Sequence, residues 1–169
     1  MKAEIISVGT ELLLGQVTNS DTAYVARELA ALGFDIRYTC TVGDNSKRLA
    51  ETLQNAFAHS DIVVTTGGLG PTEDDLTKQT CAAAAGRKLV CHEETKQRLK
   101  TYFKGREFGK SQLNQAMLPE GCTVFQNDHG TAPGCGFTTA DGKVLVMLPG
   151  PPSELLPMLQ NYVVPYLSQ

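Results

Sequence analysis

Strand and helix signals alternate three times within about the first 85 residues, and this alternation constrains the fold more than any other feature. Residues 3–8, 34–42 and 61–66 are rich in apolar and β-branched residues, as the strands of a buried sheet are. Each is followed by apolar residues at helical spacing. Because a crossover helix returns the chain to the same end of the sheet, strands joined in this way are parallel. The first half therefore predicts a doubly wound α/β domain.

The second half of the chain predicts an antiparallel edge on this sheet. Residues 137–139 and 143–148 flank Ala140-Asp141-Gly142, which is a good hairpin turn. The other expected elements are helices over 93–103 and 110–117, a strand over 123–125 and a last helix capped by Ser153. We therefore expect one domain over residues 1–169, with a doubly wound, mostly parallel sheet and an antiparallel edge hairpin.

The composition excludes several classes of protein. With 41% hydrophobic residues and a net charge of −3, the chain is too apolar and too weakly charged to be disordered. Its 15 Lys and Arg against 18 Asp and Glu argue against a general nucleic-acid binder. No apolar run approaches the roughly 18 residues of a membrane span, and no secretory signal is evident, so we expect a cytoplasmic location. The 5 cysteines form no CxxC motif and are expected to be reduced thiols.

The most informative segment is GGLGPTEDDLT, residues 67–77, which directly follows the third strand. Glycines there let backbone N–H groups face a ligand, and the start of the next helix favours a phosphate. Ligands bind at this edge of doubly wound sheets. We expect Gly67, Gly68, Leu69 and Gly70 to contact the phosphate, although glycines alone fit a plain strand–helix turn equally well. The segment is neither a Walker A loop nor a GxGxxG motif.

Acidic residues beside this loop indicate a metal ion. Glu73, Asp74 and Asp75 lie within residues 67–77, which contain no basic residue. A phosphate next to carboxylates requires a cation between them, and Mg²⁺ is the usual one. Asp44 ends the second strand at the same edge of the sheet. We expect Asp44, Asp74 and Asp75 to bind the metal, while helix capping and favourable helix-terminal charge remain the alternative explanations.

Other polar residues at the same edge are weaker candidates for ligand contacts. Those after the first strand are Thr10, Glu11, Asn19 and Ser20, all of which could be helix caps only. His129 lies in a glycine-rich loop and could act as a general base, although a lone loop histidine is more often a surface residue. Lys110 begins a new segment and is the basic residue that we expect to complement a phosphate.

Six segments, taken in order, resemble the N-terminal domain of the competence/damage-inducible protein family CinA. They are GTELLLGQVTNSD (9–21), VGDN (42–45), TTGGLGPTEDDLT (65–77), NQAMLPEG (114–121), GTAPG (130–134) and LPGPPSEL (148–155). The resemblance runs from residue 1 to about residue 165. The molybdopterin-binding domains of molybdenum-cofactor biosynthesis share this fold. Their usual GGTG is GGLG here, with Leu69 in place of threonine, which agrees with the CinA branch.

This resemblance implies an activity and a set of site residues. The implied reaction is metal-dependent hydrolysis of the diphosphate of ADP-ribose to AMP and ribose 5-phosphate, with Mg²⁺, Mn²⁺ or Co²⁺. Asp44 and Asp75 correspond to the family's paired acids, which would bind the ion or orient the attacking water. The implied nucleotide contacts are Asn114, Gln115, Thr131 and the turn of Pro149, Gly150, Pro151 and Pro152.

The resemblance also implies partners and leaves two other functions open. Family members form dimers, and the molybdenum relatives form trimers, so we expect a homo-oligomer. Intact relatives carry a C-terminal domain that deamidates nicotinamide mononucleotide, and we expect this amidase domain to be absent here. The alternatives are a nucleotide- or molybdopterin-binding or oligomerisation module without turnover, and adenylyl transfer to molybdopterin. Leu69 weighs against the second alternative.

Overall fold

A six-stranded sheet forms the centre of the computed structural model, which describes all 169 residues. Its strands are β1 (Lys2–Val8), β2 (Asp35–Val42), β3 (Ile62–Thr66), β6 (Thr123–Phe125), β7 (Gly134–Thr138) and β8 (Val144–Leu148). Their order is β2-β1-β3-β8-β7-β6. The first four strands in this order are parallel, and β7 is antiparallel to both of its neighbours. The predicted parallel sheet with an antiparallel edge is thus confirmed.

Helices cover both faces of the sheet. They are α1 (Thr10–Leu13), α2 (Asp21–Ala31), α3 (Ser46–His59), α4 (Thr77–Ala84), α5 (Glu93–Tyr102), α6 (Lys110–Asn114), α7 (Pro152–Met158) and α8 (Val164–Leu167), with a π-helical turn over Leu159–Val163. Two further strands, β4 (Leu89–Cys91) and β5 (Met117–Pro119), pair with each other in a separate sheet. None of the helices combines the length and the apolar character needed to cross a membrane.

The sheet separates two hydrophobic cores, which explains why most residues of its central strands are buried and many of them are apolar. Ile6 and Val63 pack on one face with α3, whereas their neighbours Ile5 and Val64 pack on the other. Successive strand residues point to opposite faces, so a strand covered on both sides can carry apolar residues at successive positions. Leu155 of α7 is completely buried in the second core.

Three boundaries differ from the sequence expectation. The helix expected over 110–117 ends at Asn114, because Met117 pairs with Cys91 in the β4–β5 ladder. The last helix begins at Pro152, so Ser153 lies inside its first turn and is not its cap. The sequence predicts a helix from about Asp75 to Ala85 after the glycine loop, whereas the structure has α4 over Thr77–Ala84.

A buried lysine connects α4 to the last residue of α6. Lys78 is 6% exposed, and its Nζ donates a hydrogen bond to the backbone oxygen of Asn114 at 2.6 Å. Burial lowers the pKa of Lys78 to about 8, against the smaller raising effects of Cys135 and Asp75. The charged amine is therefore less stable in the folded protein than in the unfolded chain.

Stability should rise in alkaline solution through Lys78. Between pH 8 and 10.5 the unfolded chain holds the proton on this amine and the folded protein does not, so raising the pH favours folding. Relative to Lys78→Met, we expect the free energy of unfolding of the wild type to increase by about 3 kcal/mol across this range. Urea denaturation at several pH values measures the difference. Parallel pH profiles for the two proteins would contradict the assignment.

The second core should be sensitive to truncation at Leu155. Leu155→Ala removes buried methyl groups and leaves a cavity, so the free energy of unfolding should fall by about 2–5 kcal/mol. Leu14, which is 66% exposed, provides the matched control. Its replacement by alanine should change the same quantity by less than about 0.5 kcal/mol in urea denaturation. Equal effects of the two substitutions would show that α7 does not pack as described.

Candidate functional site

An open cleft of about 620 Å³ lies where the parallel strands end. Val8 and Thr66, the last residues of β1 and β3, line it together with Pro149, which directly follows β8. This is the carboxyl edge at which the sequence analysis places a ligand. The loop 67–70 and the start of α2 form further parts of its wall.

The turn after β3 requires glycine at its first two positions. Gly67 and Gly68 have φ angles of 87° and 72°, which side chains disfavour. A Cβ on Gly67 would lie 2.4 Å from the backbone oxygen of Val8, and one on Gly68 would lie 2.0 Å from Thr77 Oγ1. The turn therefore packs against both β1 and α4 with no room for a side chain.

Not every group of this turn is available to a ligand. The N–H of Gly67 donates to the backbone oxygen of Leu148 at 2.9 Å. This N–H is therefore not available to a phosphate, in contrast to the expectation for the loop. The Leu69 side chain is 5% exposed and belongs to the hydrophobic core, which leaves only its backbone for a ligand. The N–H groups of Gly68, Leu69 and Gly70 make no backbone hydrogen bond. These three donors are free to meet phosphate oxygens.

Asp44 and Asp75 line the same cleft, and each is fixed by a neighbouring threonine. Asp75 Oδ2 accepts hydrogen bonds from the N–H of Thr72 at 2.9 Å and from Thr72 Oγ1 at 2.6 Å. Asp44 Oδ2 accepts from the N–H of Thr10 at 3.1 Å, and the Asp44 N–H donates to Thr10 Oγ1 at 3.0 Å. Both carboxylates are therefore oriented through Oδ2.

The cleft carries a strong excess of negative charge. Among its 26 lining residues there is no lysine, arginine or histidine. Its acidic side chains are Glu11, Asp21, Asp44, Asp74, Asp75 and Glu154. No group of three or more His, Cys, Asp or Glu side chains lies close enough to hold a metal ion without further ligands. An anion that binds here needs an accompanying cation. Because the protein side chains alone do not form a metal site, oxygen atoms of the anion must supply some of the ligands of that cation.

The start of α2 is fixed to the ends of the strands by a small polar cluster. Ser7 Oγ lies 3.0 Å from Thr22 Oγ1 and 3.4 Å from Asn19 Oδ1, and Thr66 Oγ1 donates to Ser7 Oγ at 3.3 Å. Asn19 Oδ1 also accepts the N–H of Thr22 at 3.3 Å, so Asn19 caps the helix. Ser20 makes no such capping bond.

Asp21 is a site residue that the sequence pattern indicates only as part of the helix-start cluster of residues 19–21. This side chain lines the cleft, is only 8% exposed, and has an oxygen, Oδ1, that is buried without a hydrogen-bond partner. Burial raises the pKa of Asp21 to about 6. An aspartate at the start of a helix is accounted for by helix capping, so Asp21 did not stand out in the sequence. No sequence pattern indicates that its side chain is buried.

Most of the sequence-predicted residues meet in this cleft. Those that line it are Glu11, Asn19, Ser20, Asp44, Gly67, Gly68, Leu69, Gly70, Asp74, Asp75, Gln115, Thr131, Pro149, Gly150, Pro151 and Pro152. Thr10 contributes through its bonds to Asp44. Lys110 and Asn114 are not among the lining residues, and Asn114 instead receives the Lys78 bond. His129 lines a smaller neighbouring cavity of about 360 Å³.

Comparison with known sequences identifies relatives over the whole chain. Residues 4–169 match the sequence profile of the family described as "Probable molybdopterin binding domain". A CinA-like protein from Desulfovibrio desulfuricans is 53% identical over 169 residues, which are 100% of this chain and 40% of the relative. A CinA-like protein from Kosmotoga olearia is 51% identical over 169 residues, or 99% of this chain and 41% of the relative. The chain thus spans about two fifths of the length of these relatives.

Solved structures give the same assignment. The crystal structure of the protein CinA from Thermoplasma acidophilum is 32% identical and superposes with a TM-score of 0.88, covering 95% of this chain and 96% of that one. The tungsten cofactor synthesizing protein MoaB from Pyrococcus furiosus is 19% identical, with a TM-score of 0.62 over 98% of this chain and 94% of that one. The MoaB likeness shows the shared fold. The extent of the CinA match shows that the chain belongs to the molybdopterin-binding domain family and, within it, to the CinA proteins.

Proposed function

We propose that this domain hydrolyses the diphosphate of ADP-ribose to AMP and ribose 5-phosphate with the help of a divalent metal ion. The observation that carries the proposal is the cleft's charge, with six carboxylates and no basic side chain beside a loop suited to phosphate. A diphosphate is repelled by such a surface unless a cation accompanies it. The choice of ADP-ribose as substrate rests on the resemblance to CinA, and Mg²⁺, Mn²⁺ and Co²⁺ are the ions proposed.

The donor atoms in the cleft fit a hard divalent ion. Asp44 and Asp75 use only Oδ2 in their bonds within the chain, which leaves Oδ1 of each for an ion. Asp74 lies beside Asp75 and lines the same cleft. Because no three acidic, His or Cys groups form a site by themselves, the remaining ligands would be diphosphate oxygens and water. Such an ion, when bound, polarises a phosphoryl oxygen and lowers the pKa of a coordinated water.

The chain's own residues would position the diphosphate. We propose the N–H groups of Gly68, Leu69 and Gly70, which make no backbone hydrogen bond, as fixed donors to the diphosphate. Such donors need no rearrangement when charge develops on the phosphate. Thr10 and Thr72 keep the two carboxylates in place during the reaction. Pro149 and Gly150 border the loop from the end of β8 and restrict the space in which the substrate lies.

A binding module without turnover is the second proposal. The chain spans only 40–41% of the length of its relatives, so other parts of such proteins have room for separate chemistry. The family description also supports molybdopterin as a ligand. Adenylyl transfer to molybdopterin is a third candidate, which rests only on the resemblance to the molybdenum-cofactor domains. Both alternatives use the same cleft. They differ from the first proposal because neither releases AMP and ribose 5-phosphate from ADP-ribose.

The hydrolase proposal predicts metal-dependent release of AMP from ADP-ribose. Mg²⁺, Mn²⁺ or Co²⁺ should support release by the purified chain, and EDTA should stop it. Asp44→Asn and Asp75→Asn should each lower the rate at least about 100-fold, because each removes a charged oxygen ligand. Chromatographic quantification of AMP measures the rate. Glu51→Gln, an exposed change of the same type on α3, should leave it unchanged.

Two results would count against hydrolysis. If calorimetry detects ADP-ribose binding but no metal ion supports AMP release, the domain is a binding module. If both aspartate variants retain full activity while folded, the reaction takes place somewhere other than this cleft. Circular dichroism of each variant checks that the fold is intact.

Gly70 should matter through its contact with Asp75. A Cβ at this position would lie 2.6 Å from Asp75 Oδ2, so Gly70→Ala should displace the carboxylate and lower the rate of AMP release at least about tenfold. Gly109→Ala is the matched control, since its Cβ would meet only Gln112 Oε1, at 3.4 Å. Wild-type activity in Gly70→Ala would show that the position of Asp75 is not important for the reaction.

A further inference from the structure

Buried polar atoms without partners point to ligand contacts that the diphosphate does not explain. Four side-chain atoms of this kind occur in the protein, on Asp21, Thr77, Gln79 and Gln115. Asp21 and Gln115 line the cleft, whereas Thr77 and Gln79 lie on α4 outside its lining. Because burial without a hydrogen bond is costly, such atoms are rare in folded proteins. Two of them belong to residues that line one cleft, where a bound ligand is able to supply the missing partners.

Asp21 differs from the other five acids of the cleft. It alone is buried, while the rest are half-buried or exposed to water. Three of the others have donors within the chain, namely Asp44, Asp75 and Glu154, which accepts from Asn127 Nδ2 at 2.7 Å. The Asp21 Oδ1 atom has neither a protein donor nor contact with solvent.

The backbone at Asp21 is not free to move toward a partner. Asp21 is the first residue of the 11-residue helix α2. The next residue, Thr22, is held through its N–H by Asn19 and through its Oγ1 by Ser7 on β1. The carboxylate is therefore held at the cleft wall by neighbouring bonds and not by bonds of its own. Its raised pKa agrees with the lack of a positive neighbour.

Gln115 provides a second acceptor elsewhere in the cleft wall. Its side chain is 1% exposed and is fixed by the bond from Nε2 to Thr131 Oγ1 at 3.0 Å. Oε1 is left without a partner. Asp21 follows β1 in the chain, whereas Gln115 follows α6, so different parts of the fold contribute the two acceptors.

We propose that Asp21, assisted by Gln115, accepts hydrogen bonds from sugar hydroxyl groups of the ligand and thereby selects a sugar-bearing diphosphate over inorganic diphosphate. This inference rests on the proposed function, which supplies the class of ligand. Hydroxyl groups are neutral donors, so they reach a carboxylate without the repulsion that a phosphate oxygen meets. Asp21 is thus a specificity-determining residue, and the glycine loop with Asp44 and Asp75 binds the diphosphate itself.

Calorimetric titration with two ligands tests this assignment. In the presence of Mg²⁺, Asp21→Asn should weaken the binding of ADP-ribose at least about tenfold, because the new NH₂ group faces a ligand donor where an acceptor was. The affinity for inorganic diphosphate, which has no sugar, should stay within about twofold of the wild type. Gln115→Leu should show the same selectivity with a smaller loss. Glu28→Gln removes one charge from the same helix outside the cleft and should change neither affinity.

A thermal melt separates this role from a structural one. Asp21→Asn should raise the melting temperature at pH 7, since it replaces a buried charge that has no partner in the protein. A lower melting temperature together with weaker binding of both ligands would show that Asp21 supports the fold, and would overturn the inference.

The remaining outcomes distinguish the inference from the hydrolase proposal. Equal weakening of both ligands with an intact fold would mean that Asp21 acts through the metal ion, and would overturn the sugar assignment. Unchanged ADP-ribose affinity and turnover in Asp21→Asn would overturn the inference and leave the hydrolase proposal standing. A wild-type protein that binds inorganic diphosphate but not ADP-ribose would overturn both.

Discussion

The close packing of the Gly67-Gly68 turn against neighbouring elements is the constraint on which the site depends. Gly67 lies where a Cβ would meet the backbone of β1, and its N–H bonds to the last residue of β8. Gly68 lies equally close to Thr77 at the start of α4. One turn therefore connects three parts of the fold at the carboxyl edge of the sheet. As a result, the loop donors, the carboxylates and the end of β8 border a single cleft.

Electrostatic repulsion in this cleft is tolerated because most of the charge is solvated or locally bonded. Asp44 and Asp75 each accept hydrogen bonds from a threonine, and Glu11 and Asp74 are exposed to water. Asp21 is the exception, because its carboxylate is buried and Oδ1 has no hydrogen-bond partner. A residue that destabilises the free protein in this way is consistent with selection for binding.

Helix caps and tight turns were predicted from the sequence because each depends on residues that are adjacent in the chain. Asn45 and Ser46 are a helix-capping signal in the sequence, and Asn45 does cap α3 by accepting the N–H of Arg48 at 3.0 Å. The predicted hairpin around Asp141 is also present. The β4–β5 pair was not predicted, because three-residue strands far apart in sequence depend on tertiary packing rather than on periodicity. In the site, the shared location of Asp44 and Asp75 followed from the parallel direction of the strands that precede them. The burial of Asp21 depends on tertiary packing at the start of α2.

Leu69 is a position at which two groups of proteins with the same fold differ in the residue that their glycine loop carries. The molybdenum-cofactor domains that the sequence resembles have threonine here, whereas Leu69 is buried in a core cluster with Val8, Val42 and Ala132. A threonine would lose apolar contact and place a hydroxyl group in that core, where it needs a hydrogen-bond partner. The leucine side chain instead packs in the core below the loop. Only the backbone of Leu69 is then left for a ligand in the cleft. Ligand selection must then come from other parts of the wall, and the unpartnered acceptors of Asp21 and Gln115 occupy such positions.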